Sequence, residues 1–244
     1  MKITETDSNL PTIKPVKEIM GIDIPNVNTS IPHRNGFIAA LIGAPGTGKS
    51  SLLLSMFGKG SGNNYYRNKF DNIYLITPES SFLSVSKHPF EGHETLYHEL
   101  TDDVLDDIYN EIIELKLEAI DNDEPIEHSL IIIDDYASDL KDKDIINVLK
   151  KILIKSRHIN TSFIFTLQAY NLFPLVLRKL LWNAIVFKPN NRMEMESVSK
   201  ELLMMKSDDA LQIYNYVFNE PYNHLDIDLK TNKLQKNFNE LKIE

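Results

Sequence analysis

The amino-acid sequence predicts an α/β fold in which a mainly parallel central sheet is flanked by helices. Three observations lead to this prediction. Short apolar runs of strand length alternate along the chain with segments of helical periodicity. A glycine-rich turn joins the first apolar run to a helix, and the last segment has the alternating pattern of a β-hairpin. Strands that are apolar on both faces are typical of parallel sheets covered by helical crossovers.

The composition is that of a folded protein without disulfides or membrane spans. The chain has 244 residues, of which 42% are hydrophobic and 25% charged, and none is cysteine. These values exclude wholesale disorder, a disulfide framework and a thiolate metal site. No apolar run approaches the roughly 20 residues of a membrane helix, and the N-terminus lacks the apolar core of a secretion signal. We therefore expect an intracellular protein that is not secreted and has no membrane partner.

We expect two parts, an extended N-terminal arm over residues 1–35 and one domain over residues 36–244. The arm contains Pro11, Pro15, Pro25 and Pro32, and proline interrupts helices and central strands alike. Its lack of helical periodicity predicts a segment that packs on a neighbouring molecule or stays mobile.

The elements of the domain follow from hydrophobic pattern and turn residues. Apolar runs predict strands over residues 37–42, 73–76, 130–133, 161–167 and 183–187. Apolar residues three or four positions apart predict helices over residues 51–57, 101–119, 142–156, 173–181, 191–205 and 207–218. Thr101 is a good N-cap, followed by acidic residues in the first turn. Residues 224–238 alternate around a Thr231-Asn232 turn, which predicts the hairpin.

A phosphate-binding loop is the strongest functional signal in the sequence. Residues 43–50 match the pattern G-x-x-x-x-G-K-[ST] in full, between a buried strand and a helix. Backbone N–H groups of such a loop converge on phosphate, and the helix N-terminus adds positive potential. Lys49 is expected to reach the β- and γ-phosphates of ATP, and Ser50 to bind Mg²⁺. The predicted nucleotide-binding residues are Gly43, Ala44, Pro45, Gly46, Thr47, Gly48, Lys49, Ser50 and Ser51.

Two adjacent carboxylates end the strand at residues 130–133. Asp134 is in the position at which P-loop enzymes hold Mg²⁺, directly or through water. Asp135 is expected to position or deprotonate the attacking water, which favours hydrolysis over transfer to another nucleotide. Most such motors have Glu at this position, and Asp is one methylene shorter. The alternative is that Asp135 only caps the next segment.

Several P-loop classes are excluded by residue counts. A GTPase requires D-x-x-G after its third strand, and an ABC ATPase requires L-S-G-G-Q. No glycine follows Gly92, so neither motif is present where it belongs. Nucleoside kinases use several lid arginines, and residues 79–127 contain no arginine.

The segment from Ser156 to Gln168 combines a basic helix end, a buried strand and a terminal Gln. This segment resembles the FtsK–HerA superfamily of DNA-pumping ATPases. Residues 175–178 and 183–187 and the C-terminal hairpin resemble its viral genome-packaging branch, as in poxviruses, giant viruses and virophages. The resemblance covers about residues 30–240.

The resemblance implies an ATPase that forms a homo-oligomeric ring, expected to be a hexamer, and drives double-stranded DNA into a capsid. It further implies that Gln168 senses the γ-phosphate. Arg157 best matches the position of the arginine finger, which acts on the neighbouring subunit, and Arg178 is the second candidate. Capsid proteins are then expected partners, and the virion or the viral factory in the host cytoplasm is the expected location.

Other functions remain open at the level of sequence. One is a DNA translocase or helicase that does not package genomes, and another is a regulatory ATP-binding module. The net charge of −9 argues against a monomer that coats DNA but allows a ring with a basic pore. The helix over residues 142–156 has a basic outer face (Lys143, Lys150, Lys151, Lys155), which either is solvated or contacts DNA or another subunit. His88, His93 and His98 are expected in a solvated loop rather than a metal site.

Overall fold

The computed structural model describes residues 23–58, 65–86 and 88–243. Within these ranges the chain forms one 9-stranded sheet with helices on both faces. The strands are β1 (Ile38–Ile42), β2 (Asn72–Ile76), β3 (Leu96–Tyr97), β4 (Ser129–Ile133), β5 (Thr161–Leu167), β6 (Asn183–Phe187), β7 (His224–Asp228), β8 (Lys233–Lys236) and β9 (Asn239–Glu240). The helices are α1 (Lys49–Phe57), α2 (Glu79–Leu83), α3 (Asp102–Asp121), α4 (Lys143–Lys155), α5 (Leu175–Arg178), α6 (Arg192–Val198) and α7 (Ser207–Val217).

The strand order is β3-β2-β4-β5-β1-β6-β7-β8-β9. All pairings from β3 to β6 are parallel, and those from β6 to β9 are antiparallel. The predicted α/β fold with a mainly parallel sheet and a C-terminal hairpin is therefore confirmed. The order places β1 between β5 and β6, so the loop after β1 has neighbouring strand ends on both sides.

Alternate residues of each central strand enter two different cores. On β1, Ile38 and Ile42 belong to the cluster that α3, α4, α6 and α7 cover, whereas Leu41 belongs to the cluster that α1 covers. Because successive strand side chains point to opposite faces, a run that is apolar throughout requires helices on both sides. This is the reason that the apolar runs predicted the architecture.

The helix caps follow the sequence closely. The Val104 N–H donates to Thr101 Oγ1 at 3.1 Å, as the predicted N-cap of α3 requires. The Asp142 carboxylate caps α4 by accepting from the Asp144 N–H at 2.8 Å. Both caps satisfy N–H groups that have no partner within the first turn of a helix.

Some elements differ from the sequence-based prediction. The helix predicted over residues 173–181 is only the short α5, because Pro174 has an extended conformation directly before it. The helix predicted over residues 191–205 changes to a π-helical turn over Ser199–Leu203, which ends at Met204 in a left-handed conformation. The segment around the three histidines also contains α2 and the two-residue strand β3, which are too short to show a period.

Residues 23–35, the end of the predicted arm, form a loop on the domain. Asp23 pairs with Arg34 in an isolated antiparallel bridge, and Ile24 and Ile31 are buried in the core beside α1. The Tyr66 hydroxyl donates to the Pro32 carbonyl oxygen at 2.7 Å. These residues are therefore attached to the domain. Residues 1–22, the larger part of the predicted arm, lie outside the described residues.

Candidate functional site

The phosphate-binding loop connects β1 to α1 at the carboxyl edge of the sheet. Gly48 directly precedes α1 and has a backbone φ of 106°, which residues with a Cβ rarely adopt. Gly43 has a different requirement, since a Cβ there would lie 2.7 Å from Phe187 Cβ and 2.8 Å from Thr47 Oγ1. The Thr47 hydroxyl closes the turn by donating to the Ala44 carbonyl oxygen at 2.8 Å. The glycines of the motif therefore meet steric demands of this loop.

The Lys49 side chain folds back across the loop. Its Nζ donates to the carbonyl oxygens of Gly43, at 2.5 Å, and Ala44, at 3.1 Å. Burial lowers the pKa of Lys49, and the nearby carboxylates of Asp135, Asp134 and Glu194 partly offset this effect. A polyanion in the loop would compensate the same charge more fully than two neutral carbonyl groups do.

Asp134 follows β4 and is held by two threonine hydroxyls. Thr166 Oγ1 donates to Oδ1 at 2.5 Å, and Thr77 Oγ1 donates to Oδ2 at 3.3 Å. Burial raises the pKa of Asp134, and the two hydroxyl donors and Lys49 offset this only in part. A partly buried carboxylate is suited to a divalent cation, which prefers oxygen ligands.

Asp135 lies next to Asp134 but faces a different set of partners. Its backbone is left-handed, with φ 62°, and its N–H donates to Thr166 Oγ1 at 3.0 Å. Gln168 Nε2 donates to Asp135 Oδ1 at 2.9 Å, and Ser81 Oγ donates to Oδ2 at 3.4 Å. The side chain is thus exposed but oriented. An unusual backbone angle at a polar cleft residue is typical of a functional site.

These side chains share one cleft of about 490 Å³. The loop forms one wall, and the ends of β4 and β5 form another. Its lining includes Lys49, Ser50, Asp134, Asp135, Thr166 and Gln168. Within the described ranges, no group of three or more His, Cys, Asp or Glu side chains is arranged to hold a metal ion. Ser50 and Asp134, the two residues predicted to bind Mg²⁺, both line this cleft.

Neither arginine predicted as a finger lines this cleft. Arg157 lies between α4 and β5 at the amino edge of the sheet, where its backbone packs against Gly36. Arg178 donates hydrogen bonds to three residues: Nε to the Phe173 oxygen at 2.6 Å, Nη2 to the Asn171 oxygen at 3.0 Å, and Nη1 to Glu201 at 3.1 Å. Arg178 would have to break these contacts to reach a nucleotide.

Thr166 and Glu194 are site residues that the sequence reasoning missed. Thr166 forms hydrogen bonds with both aspartates. It lies two positions before Gln168, and strand residues two positions apart face the same side of the sheet, so this spacing was an available signal. Glu194 on α6 is 4% exposed and accepts the Tyr170 N–H at 3.1 Å, which fixes the backbone just beyond Gln168. No local pattern marks Glu194, because its partner is more than 20 residues away.

The histidine segment contributes to the wall of the cleft. His88 lines it, and its ring centroid lies 4.2 Å from that of Phe82. Burial lowers the pKa of His88, which favours the neutral ring at physiological pH. His98 Nδ1 is bonded to the Thr77 carbonyl oxygen at 3.1 Å, so it faces a different neighbour.

The basic face of α4 is partly used within the molecule. Lys151 Nζ donates to Asp106 Oδ1 at 3.1 Å, and Lys155 Nζ donates to the Tyr109 hydroxyl at 3.0 Å. Both partners lie on α3, whose outer face is acidic. Lys143 and Lys150 are exposed on the same helix.

No helix in the described part of the chain is long and apolar enough to span a membrane.

Comparison with known proteins agrees with this geometry. The chain is similar to the DNA-packaging ATPase B204 from Sulfolobus Turreted Icosahedral Virus, with 18% identity, a TM-score of 0.58, and coverage of 86% of this chain and 99% of that chain. It is also similar to the genome packaging NTPase B204 from Sulfolobus turreted icosahedral virus 2 in complex with ATP-γS, with 16% identity, a TM-score of 0.54, and coverage of 82% and 95%.

A third similar structure is the cytoplasmic domain of the Type VII secretion ATPase EccC from Thermomonospora curvata, with 16% identity and a TM-score of 0.56. The match covers 82% of this chain and 25% of that one. No curated protein sequence matches the chain. The model of the family described as Poxvirus A32 protein matches residues 29–220. The chain therefore belongs to the poxvirus A32 protein family.

Proposed function

We propose that the chain is a Mg²⁺-dependent ATPase that couples hydrolysis to the movement of double-stranded DNA into a viral capsid. The observation that carries this proposal is the convergence of Lys49, Asp134, Asp135 and Gln168 on one cleft beside the phosphate-binding loop. Family membership and the similarity to packaging ATPases support the DNA part of the proposal.

Each residue of the cleft has a different proposed role in ATP hydrolysis. Lys49 releases the Gly43 and Ala44 carbonyls and pairs with the β- and γ-phosphates, where charge develops as the bond to the γ-phosphoryl group breaks. Ser50 and Asp134 would hold Mg²⁺, which would neutralise phosphate charge. Asp135 orients the attacking water and accepts its proton. The Gln168 amide donates to Asp135, and its proposed role is to sense the γ-phosphate.

The proposed motor is a homo-oligomeric ring, with a hexamer as the expected form. A ring allows Arg157, which does not line its own cleft, to act on a neighbour's nucleotide. DNA contact by α4 would come from Lys143 and Lys150, since Lys151 and Lys155 are bonded to α3. We place the working protein in the virion or the viral factory of the host cytoplasm, with capsid proteins as partners. Residues 1–35 and 36–244 are proposed as arm and ATPase domain.

The test is ATP hydrolysis by the purified chain with and without duplex DNA, in Mg²⁺ and in EDTA. We expect hydrolysis that requires Mg²⁺ and increases with DNA. Lys49→Ala is expected to abolish turnover and retain the fold, because the side chain contacts only the loop. Lys69→Ala is a matched control outside the cleft. DNA-independent hydrolysis would contradict a motor, and a DNA-stimulated enzyme that never associates with capsids would indicate a translocase instead.

A further inference from the structure

A second cleft, of about 560 Å³, lies on the other side of the phosphate-binding loop. It shares Gly46 and Thr47 with the loop. Its remaining walls are the residues directly after β6 and the residues directly before β7 (Phe187–Asn190 and Phe218–Asn223). Both segments lie at the carboxyl edge of the sheet, since Phe187 pairs with His224 in the β6–β7 register.

The strand order indicates on which side of β1 the γ-phosphate and the nucleoside of a bound nucleoside triphosphate lie. Asp134 and Asp135 follow β4 and Gln168 follows β5, on one side of β1. The second cleft follows β6, on the opposite side of β1. A triphosphate whose γ-phosphate faces the carboxylates must therefore extend its nucleoside toward β6 and β7. We propose that the second cleft binds the nucleoside of ATP and that Tyr222 stacks on the base, an inference that rests on the proposed function.

Tyr222 is placed at the boundary between the two clefts and lines both. Its ring lies against the loop, because a Cβ added to Gly48 would be 3.2 Å from Tyr222 Cδ1. The side chain is nevertheless 71% exposed, and no other aromatic ring of the described residues stacks on it. An aromatic face that is open to solvent beside a phosphate site is suited to stacking on a base.

The backbone of Tyr222 is left-handed, with φ 65°. Bulky residues rarely adopt this conformation, so neighbouring contacts must hold it. Those contacts are hydrogen bonds between side-chain amide groups. Asn223 Nδ2 donates to Asn219 Oδ1 at 3.0 Å, and Asn237 Nδ2 donates to Asn223 Oδ1 at 2.7 Å. Asn237 lies at the end of β8, so the C-terminal hairpin fixes the loop that presents the ring.

The lining of the cleft matches a base rather than another phosphate. Pro189, Phe218 and Pro221 supply apolar surface, and the carboxylate of Glu220 offsets the charge of Lys188, so the lining has no excess positive charge for a phosphate. Asn219 Oδ1 already accepts from Asn223 and from Lys236 Nζ, at 2.8 Å, which leaves the Asn219 amide N–H groups as donors. Ring nitrogens of a purine are acceptors of such donors.

The experiment compares ATP with inorganic tripolyphosphate, which has the phosphates and lacks the nucleoside. Affinities are measured by calorimetry in EDTA for the full chain and for four variants. Base stacking on an aromatic residue contributes about 1–3 kcal/mol, so Tyr222→Ala is expected to weaken ATP binding roughly 5- to 150-fold. The same variant should bind tripolyphosphate as the parent does. Tyr222→Phe should keep ATP affinity, and Tyr216→Ala, another exposed tyrosine, should change neither.

Equal effects of Tyr222→Ala on both ligands, or no effect on ATP, would overturn the proposal. Tyr222→Asn provides a second ring-free variant, because Asn adopts positive φ more readily than Ala. A loss of ATP affinity in Tyr222→Ala that Tyr222→Asn does not share would indicate a misfolded loop and also overturn it. Failure of the proposed function gives a different result, since the parent would then bind neither ATP nor tripolyphosphate.

Discussion

At the scale of single residues, two adjacent carboxylates have different surroundings. Asp134 is partly buried between Thr77 and Thr166, whereas Asp135 is exposed and bonded to Gln168. The backbone of Asp135 is left-handed, with φ 62°. One carboxylate is therefore suited to a cation and the other to a water molecule, which separates their predicted roles.

Asparagine variants of the two aspartates are expected to behave differently. Asp135→Asn keeps an acceptor for Gln168 but removes the base, so hydrolysis should fall by about 10²–10⁴-fold while nucleotide binding persists. Asp134→Asn should weaken Mg²⁺-dependent nucleotide binding as well as the rate. Calorimetric titration with Mg²⁺ and a non-hydrolysable ATP analogue, together with single-turnover rates, measures both. Equal loss of binding in the two variants would contradict separate roles.

The raised pKa of Asp134 adds a prediction about stability. A carboxyl group with a raised folded pKa favours folding below its unfolded pKa, and this contribution is lost as the pH rises through the folded pKa. At neutral pH the charged Asp134 therefore opposes folding of the nucleotide-free protein. Asp134→Asn should raise its melting temperature at pH 7 and remove the further rise that Mg²⁺-ATP gives the parent. An unchanged melting temperature at pH 7 would contradict the prediction that burial of the charged Asp134 carboxylate destabilises the nucleotide-free protein.

At the scale of elements, the end of β5 is held by a helix from elsewhere in the chain. Glu194 on α6 accepts the buried N–H of Tyr170, and Arg178 lies over the Tyr170 ring at 4.7 Å. These contacts fix the backbone that carries Gln168. The short α5 and the π-helical turn lie in the same region. There the backbone is held by contacts between distant residues, and regular α-helix is short.

Glu194→Ala is expected to destabilise the protein by about 1–3 kcal/mol, because it leaves a buried N–H without an acceptor. Urea denaturation of the nucleotide-free chain measures this change. Glu194→Gln retains an acceptor oxygen and should be closer to the parent. If the alanine and glutamine variants lose equal stability, the charge of Glu194 matters rather than its hydrogen bond.

Two deletions separate the parts of the predicted arm. Removing residues 1–22 should impair oligomer formation more than nucleotide binding, which analytical ultracentrifugation and ATP titration measure at matched concentration. Removing residues 1–35 also takes Ile24 and Ile31 out of the core beside α1. Since each buried isoleucine contributes about 2–5 kcal/mol, the free energy of unfolding should fall by a further ~4–10 kcal/mol. An unchanged sedimentation profile for the shorter deletion would contradict a role in assembly.

At the scale of the whole molecule, the predicted site residues lie at two opposite edges of the sheet. The carboxyl edge carries the loop, the carboxylates and Gln168, and the amino edge carries Arg157. The planar guanidinium group suits the spreading charge of a γ-phosphoryl group, and lysine does not reproduce it. Any contact of Arg157 with a nucleotide would thus be between subunits.

Mixing inactive subunits tests this arrangement. Arg157→Ala and Lys49→Ala chains should each be inactive alone, since a finger contributes roughly 10³–10⁵-fold in rate. Co-assembled, they should regain part of the activity, because one supplies an intact cleft and the other an intact finger. Arg157→Lys should bind ATP normally and hydrolyse it poorly. Mixed rings that demonstrably form and remain inactive would show that Arg157 does not act between subunits.

The sequence by itself determined the elements whose causes are local. The glycine loop is contiguous, so its steric pattern and its lysine are readable without a structure. Asp134 and Asp135 directly follow an apolar run of strand length, so their place at a strand end was predictable. The alternation around Thr231-Asn232 was sufficient for the hairpin. In each of these cases the controlling interactions span a few residues, which a pattern of period two or 3.6 records.

Only the tertiary structure decided which distant residues share the site. Thr166, Glu194 and Tyr222 come from β5, α6 and the loop before β7, and no local pattern links them to residues 43–50. Strand order also has no local signal, yet it places β1 between β5 and β6 and so gives the loop a cleft on each side. The physical reason is that hydrophobic burial is non-directional. It specifies which face of a strand is covered, whereas side-chain fit and hydrogen bonding across the sheet select the neighbours.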